Sequence, residues 1–159
     1  MRFALVVSTY NDFVTSRLAD GARAELRDSG VADTDIVRLD VPGAFEIAQA
    51  AYLLAASGGW DGIVCLGCLI RGETPHFDYI ARATADGIMR AAQDTGVPVT
   101  FGVLTTNTAD EAMARAADGE MNKGREAARA AFKMAGLYVS LADAADEGTR
   151  RSGAESSDE

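Results

Sequence analysis

Short apolar runs alternate with longer helical patterns along most of the chain, and this alternation restricts the possible folds. The apolar runs are typical of strands covered on both faces of a parallel sheet; they span residues 2–8, 35–39, 62–69 and 99–104. Apolar residues at helical spacing predict helices from residue 13 to the Ser29-Gly30 break and over residues 45–56, 75–95, 109–116 and 122–141. A succession of βαβ units with right-handed crossovers follows, so the sequence predicts an α/β fold.

Size and charge set further limits. The 159 residues fit one domain, and 48% are hydrophobic, as in ordinary globular proteins. The net charge of −9 argues against nucleic acid or anionic lipid as a partner. No apolar run reaches the roughly 18 residues of a membrane span, and no secretion signal opens the chain, so a cytoplasmic protein is expected.

The end of the chain differs in composition from the rest. Asp, Glu, Ser, Gly and Arg dominate after residue 142, and apolar residues almost disappear. This composition predicts that residues 1–142 form the domain and that residues 143–159 are an acidic tail, disordered over 144–159.

The stretch at residues 67–79 joins a predicted buried strand to a predicted helix. Thr74 suits an N-cap and Pro75 the first helical position, so the helix is expected to begin at Pro75. His76, the single histidine, then lies in the first turn, where free N–H groups and the helix dipole favour a bound anion. A general base beside an anion site is one interpretation; a histidine that only packs locally is the other.

Cys65 and Cys68 form a C-x-x-C pattern inside the third apolar run. Strand positions three apart face opposite sides of a sheet, so the pair does not suit a redox site or a common metal. Buried, reduced thiols are expected. Because one histidine leaves too few ligands for zinc, the sequence predicts no metal site.

Five ordered segments carry a resemblance to a known family. They are Tyr10-Asn11 with Thr15, residues 41–47, residues 67–79, residues 96–106, and Asn122-Lys123-Gly124. In order and spacing they resemble the 6,7-dimethyl-8-ribityllumazine synthase family from about residue 3 to residue 138.

The resemblance implies a fold and an activity. It implies a three-layer α/β/α structure whose four-stranded parallel sheet has the flavodoxin-like order 2-1-3-4. The implied enzyme is a transferase of riboflavin biosynthesis that condenses 5-amino-6-ribitylaminopyrimidinedione with 3,4-dihydroxy-2-butanone 4-phosphate and needs no cofactor. The family's common unit is a homopentamer, and some members build a 60-mer shell; both assemblies stay open here.

Particular residues match the family's functional positions. His76 matches the proton-transferring residue, Tyr10 the aromatic that stacks on the pyrimidine ring, and Arg115 the arginine that binds phosphate. Phe101 and Lys123 match residues supplied by a neighbouring subunit. The complete set of implied substrate-binding residues is Tyr10, Asn11, Ala44, Phe45, Glu46, Cys68, Leu69, Ile70, Glu73, Thr74, Phe101, Arg115 and Lys123.

Two other functions are compatible with parts of the sequence. A flavodoxin-like flavin-binding protein would share the small α/β chain and could hold a flavin phosphate at Ser8-Thr9. A non-catalytic member of the resembled family would bind flavin or lumazine. The flavodoxin-like alternative does not account for the His76 stretch or for the spacing of Arg115 and Lys123, and the retention of His76, Arg115 and Lys123 argues against a non-catalytic member.

Overall fold

The computed structural model describes residues 1–155, and for 148–155 only the backbone. Within that part the chain forms four strands, which are β1 (Phe3–Ser8), β2 (Ile36–Val41), β3 (Gly62–Ile70) and β4 (Val99–Thr106). The α-helices are α1 (Asp12–Asp28), α2 (Ala44–Ser57), α3 (His76–Thr95), α4 (Ala109–Arg115) and α5 (Lys123–Glu155), and a 3₁₀ turn covers Asp33–Asp35. Every predicted element is present.

The strands form one parallel sheet in the order β2-β1-β3-β4. All four carboxyl ends lie at the same edge: Ser8 pairs with Val41 and Ile70 pairs with Thr106, and β3 and β4 continue about three residues beyond the ends of β1 and β2, because Val7 pairs with Leu66. The α/β class and the strand order 2-1-3-4 are therefore confirmed. Loops that follow the strands meet along one edge, the place where parallel sheets form their sites.

Two apolar clusters lie on opposite faces of the sheet. One joins β1 and β3 to α1, α4 and α5 and includes Phe3, Leu66 and Ala131; the other joins the sheet to α2 and α3 and includes Val6, Ile47 and Ile88. All six residues of β1 are buried. This arrangement is the three-layer structure expected for an apolar strand covered on both sides.

Small residues bring α2 and α3 into close contact. A Cβ added at Gly87 would lie 2.6 Å from the Cβ of Ala48. Beside this contact, the buried hydroxyl of Thr84 donates a hydrogen bond to the Ala44 carbonyl at 3.2 Å. The beginning of α2 is therefore held against the middle of α3.

The spacing of apolar residues in the last helix predicts an inward face made of Ala127, Ala130, Ala131, Met134 and Leu137, and this prediction is partly wrong. Ala127 and Ala131 are buried as expected, but Ala130, Met134 and Leu137 are exposed. The buried positions of α5 are instead the alanines at 127, 128, 131 and 135. Because alanine occupies so many positions of this helix, its apolar residues fit more than one stripe. The pattern alone does not show which stripe packs against the sheet.

The end of α5 also differs from the prediction. The helix continues to Glu155, past the expected end at residue 141, and so covers residues 144–155, for which disorder was predicted. Residues 141–147 are exposed, and Ala, Glu and Arg in this part of the chain favour a helix locally. Residues 156–159 of the predicted acidic tail lie outside the described residues. The division into a domain and a tail stays a prediction.

The two cysteines are buried and free, as predicted. Cys68 belongs to the α1 and α5 side of the sheet and Cys65 to the α2 and α3 side. Burial raises the pKa of the Cys68 thiol to about 11 and raises that of Cys65 further. Both thiols are therefore protonated at neutral pH.

An ionic cluster joins α1 to α5. Glu25 is 7% exposed and accepts hydrogen bonds from Arg129 at 2.6 and 3.0 Å and from Arg125 at 3.0 Å. The Arg129 bonds, with help from Arg125, hold the pKa of Glu25 below its usual value although burial opposes the shift. This cluster stabilises the fold only while Glu25 is ionised.

Replacing Glu25 by Gln should lower the free energy of unfolding at pH 7 by about 1–3 kcal/mol, because charge-assisted hydrogen bonds are lost. Since the folded pKa is depressed, the contribution is complete above the unfolded pKa of about 4.3 and disappears as the pH falls through the folded value. Urea unfolding at fixed protein concentration, at pH 7 and near pH 3, measures the difference. The difference between variant and wild type should shrink as the pH falls below about 4.3, because the ionic contribution of Glu25 is lost as the carboxylate is protonated.

Asp33→Asn is the matched control. Asp33 is 61% exposed and pairs with Arg23 at 2.9 Å, so its loss should cost less than about 1 kcal/mol at either pH. A Glu25→Gln effect no larger than that of the control would contradict the role given to this cluster.

Candidate active site

Three loops are tied together at the carboxyl ends of the strands. The backbone N–H groups of Thr9 and Tyr10 donate to the carbonyls of Val41 and Pro42, at 2.8 and 3.2 Å, and join the loop after β1 to the loop after β2. The Asn11 side-chain amide donates to the carbonyl of Cys68 at 2.9 Å and so reaches β3.

Asn11 adopts a left-handed backbone conformation to make this connection. Its φ is 59° and its ψ 45°, and it is the one non-glycine residue with positive φ among residues that the structure describes. Asparagine tolerates this region better than most residues. The turn from β1 into α1 therefore depends on a residue suited both to the conformation and to the bond.

A cavity of about 840 Å³ opens beside these loops. Its walls come from the loops after β1, β2 and β3 and from the first turns of α2 and α3. The lining residues are Tyr10, Asn11, Gly43, Ala44, Phe45, Glu46, Leu69, Ile70, Gly72, Thr74, His76, Phe77, Tyr79, Ile80 and Ala83. Nine of the predicted site residues meet in this one cavity.

The aromatic side chains at the cavity are unusually exposed for their size. Tyr10 is 70% exposed, Phe45 52% and Tyr79 74%. Open aromatic faces beside a cavity are suited to stacking on a flat ring. Glu46 adds a carboxylate on the α2 side, which can accept hydrogen bonds from hydroxyl groups of a ligand.

The helix that carries His76 begins one residue later than predicted. Pro75 has φ −70° but ψ 1°, so it precedes α3 and is not its first helical residue. The predicted capping role of Thr74 is wrong: among the described residues, no side chain caps α3. Its first N–H groups are left to bind an anion at the cavity, where His76 and Thr74 also lie.

Arg71 fixes the start of α3 against the end of β4. Its guanidinium lies 4.5 Å from the centre of the Phe77 ring and pairs with Asp78 at 3.2 Å. The same side chain donates to Asn107 at 3.3 Å, and its backbone N–H donates to Thr106 at 2.8 Å. These contacts hold the first turn of α3, and so His76, in a defined position.

A second concave surface, the β4 groove, lies along the outer strand between α3 and α5. Its volume is about 630 Å³, and it is lined by Phe101, Arg115 and Lys123 together with Met89, Glu126 and neighbouring residues of β4. Phe101 is 46% exposed. The Arg115 guanidinium donates to the Glu111 carbonyl at 3.0 Å, and Lys123 pairs with Glu126.

The cavity and the β4 groove are separate within one chain. Over the described residues they have no lining residue in common. Arg115 therefore lies with Phe101 and Lys123 and not beside the α3 terminus, where a phosphate is expected. One chain alone does not bring the predicted phosphate ligands together.

Two predicted site residues line neither surface. The Cys68 side chain is buried in the core and only its carbonyl reaches the site, through Asn11. Glu73 is exposed in the loop before α3. Conversely, sequence reasoning missed Phe77 and Tyr79. The signal was present for Tyr79, because His76, Tyr79, Ile80 and Ala83 follow the same helical spacing.

Two features are absent from the described residues. No group of three or more His, Cys, Asp or Glu side chains is placed to hold a metal ion. No helix in the same part of the chain is long and apolar enough to cross a membrane.

Comparison with known proteins identifies the family. The family model for 6,7-dimethyl-8-ribityllumazine synthase matches residues 1–138, which include both the cavity and the β4 groove. The chain belongs to the lumazine synthase family. A 6,7-dimethyl-8-ribityllumazine synthase of Salinibacter ruber (strain DSM 13855 / M31) is 48% identical over 140 residues, covering 88% of this chain and 90% of the relative. One of Syntrophus aciditrophicus (strain SB) is 47% identical over 137 residues, covering 86% and 89%.

Membership of the lumazine synthase family confirms the resemblance seen in the five segments. The match extends over the whole α/β domain and not only over the stretch around His76. It does not favour the alternative of a flavodoxin-like electron-transfer protein.

The geometry at Asn11 leads to a prediction about stability. Asn11→Ala and Asn11→Gly both lose the bond to the Cys68 carbonyl, but only alanine also resists positive φ. We expect Asn11→Ala to be less stable than Asn11→Gly by about 1 kcal/mol. Urea unfolding of the two variants measures the difference. Equal stability, or a less stable glycine variant, would show that the left-handed conformation is not required.

Proposed function

We propose that the protein is a 6,7-dimethyl-8-ribityllumazine synthase, a transferase of riboflavin biosynthesis. It condenses 5-amino-6-ribitylaminopyrimidinedione with 3,4-dihydroxy-2-butanone 4-phosphate and releases phosphate and water. The observation that carries this proposal is the cavity where exposed aromatic side chains, Glu46 and His76 meet at an uncapped helix terminus. Family membership supplies the identity of the two substrates.

The pyrimidinedione binds in the cavity. Its ring stacks on Tyr10, whose exposed face is available for a flat heterocycle. Phe45 and Ala44 line the pocket next to the ring, and the ribityl hydroxyls donate hydrogen bonds to the Glu46 carboxylate. Leu69 and Ile70, at the end of β3, form the floor.

The phosphate binds at the start of α3. Backbone N–H groups of Gly72, Glu73 and Thr74, together with the positive end of the helix dipole, favour the dianion there. A cation is needed to balance the charge, and Arg115 is the side chain that supplies it. Because Arg115 lies in the β4 groove of its own chain, the Arg115 that contacts this phosphate belongs to a neighbouring copy.

His76 moves protons during the reaction. Imine formation joins the amino group of the pyrimidinedione to the carbonyl of the four-carbon substrate and releases water. Phosphate elimination, tautomerisation and ring closure follow. Positioned acid–base catalysis contributes typically 10²–10⁴-fold, and holding two reactive substrates in orientation removes roughly 7–11 kcal/mol of barrier.

The complete site forms between copies of the chain. The cavity supplies the aromatic pocket and His76, while the β4 groove of the next copy supplies Phe101, Arg115 and Lys123. A contact between two different surfaces of identical chains is heterologous, and it forms a ring when the rotation between neighbouring copies closes. We propose the homopentamer as that ring; a 60-mer shell built from pentamers is compatible with the same contact.

Exposed apolar side chains near the β4 groove support this assembly. Met89 is 59% exposed, Phe101 46% and Met134 38%. Large apolar patches on a single chain commonly mark interaction surfaces. For location we propose the cytoplasm, since two free buried thiols suit a reducing compartment.

Product formation from the two substrates tests the proposal directly. Lumazine absorbance should rise faster than in the uncatalysed mixture, on protein whose assembly is measured by light scattering in the same buffer. His76→Ala should lower kcat by about 10²-fold, the lower end of acid–base contributions, and leave the assembly unchanged. An assembled wild-type protein with no rate above background would refute the enzyme, and an unchanged kcat in the variant would refute the role of His76.

Arg115→Ala should act on the phosphorylated substrate. We expect its KM to rise by about 10-fold or more, the scale of a lost charge-assisted contact, while the KM of the pyrimidinedione changes little. The control is Arg27→Ala, which removes an exposed arginine at the end of α1, away from cavity and groove. Equal effects of the two variants would contradict the proposed phosphate contact.

A further inference from the structure

The side chain of Asn122 is buried and makes four hydrogen bonds, all of which its amide can form. Its exposure is 2%. The amide nitrogen donates to the carbonyls of Arg17 and Ala116, at 3.2 and 3.0 Å. The oxygen accepts from the backbone N–H groups of Gly124 and Arg125, at 2.8 and 3.2 Å.

Two glycines leave room for this side chain. A Cβ at Gly21 of α1 would lie 2.3 Å from Oδ1 of Asn122. At Gly124 an added Cβ would overlap the carbonyl of Leu18. Real Cβ atoms do not approach other atoms so closely, so α1 and the start of α5 are held at a distance that only glycine permits.

The four hydrogen bonds of Asn122 connect the chain segments that carry the two cationic side chains of the β4 groove, Arg115 and Lys123. Ala116, whose carbonyl accepts one of the bonds, directly follows Arg115, and Lys123 directly follows Asn122. Between Arg115 and Asn122 the chain has no regular secondary structure. The separation of Arg115 and Lys123 is therefore set by the Asn122 side chain and not by a continuous helix.

Asn122 also changes what the start of α5 can bind. The Gly124 and Arg125 N–H groups, which a helix terminus would otherwise offer to an anion, already donate to Oδ1 of Asn122. Anion binding in the groove is left to the side chains of Arg115 and Lys123. Their mutual placement then decides how well the groove holds a phosphate.

We propose that Asn122 is a positioning residue for phosphate binding: its four hydrogen bonds hold Arg115 and Lys123 at the spacing at which both contact one phosphate group. The inference rests on the proposed function, in which Arg115 of a neighbouring copy contacts the phosphate and the same groove supplies Lys123, and it adds a phosphate contact for Lys123. Asn122 touches neither substrate. It acts by joining the end of α4 to the start of α5 across α1.

The Asn122→Asp variant removes the two hydrogen bonds that the side chain donates and keeps the two that it accepts. The carboxylate still accepts from Gly124 and Arg125 but no longer donates to Ala116 or Arg17, so Lys123 stays in place and Arg115 is released. The assembled variant should show a KM for the phosphorylated substrate raised about 5- to 10-fold, the scale of one or two lost hydrogen bonds. Titration calorimetry with inorganic phosphate should give a Kd raised by the same factor.

The pyrimidinedione KM should stay within about twofold of wild type, because its pocket is formed by other elements. Gly21→Ala is the second variant: it displaces the Asn122 side chain without removing any hydrogen-bonding group and should raise the phosphate Kd in the same direction. Leu26→Val, which truncates a buried contact of α1, is the control for general loss of stability and should leave the phosphate Kd unchanged.

A double variant that lacks both cationic side chains tests whether Asn122 acts through Arg115 and Lys123. In Arg115→Ala/Lys123→Ala protein, adding Asn122→Asp should change phosphate binding no further, since residues that act through one another are not additive. An unchanged Kd in both Asn122→Asp and Gly21→Ala, or an equal effect of Leu26→Val, would overturn the proposal. If instead Arg115→Ala alone leaves phosphate binding unchanged, the proposed phosphate site itself fails, whatever Asn122 does.

Discussion

The burial of β1 on both faces is the constraint on which the rest of the structure depends. A strand whose six residues are all buried must have a strand on each edge and helices on each face. The parallel register with β2 and β3 then sets where the carboxyl ends lie. Loops that follow Ser8, Val41 and Ile70 lie at the same edge because all the strands are parallel, and Asn11 joins the loop after β1 to β3.

Elements whose apolar residues stand out from polar neighbours could be predicted from the sequence. Elements without such a pattern could not. The four strands appear as apolar runs, and their order followed from family resemblance. Along α5, alanine occupies both buried and exposed positions, so Ala128 was missed and Ala130 wrongly placed inside. The end of the same helix was also missed, because Ala, Glu and Arg favour a helix even in an exposed stretch such as residues 141–147.

The candidate site shows the same division. His76 was recognisable because a single histidine after an apolar run and a proline is a distinctive local pattern. The sequence does not show that Arg115 lies apart from His76, since this separation depends on how far β4 lies from the cavity in three dimensions. If the site forms between copies of the chain, as we propose, activity is coupled to assembly: dilution that dissociates the assembly also removes Arg115 from the cavity, so specific activity would depend on protein concentration.

The burial of both cysteines has a practical consequence for labelling. Thiol reagents attack the thiolate, and neither Cys65 nor Cys68 offers one at neutral pH because burial disfavours it. A single cysteine introduced on the surface would therefore be modified selectively without first removing the native pair. Placed on an exposed residue of α5 such as Lys133, a fluorophore could report in real time whether copies of the chain exchange within the proposed assembly.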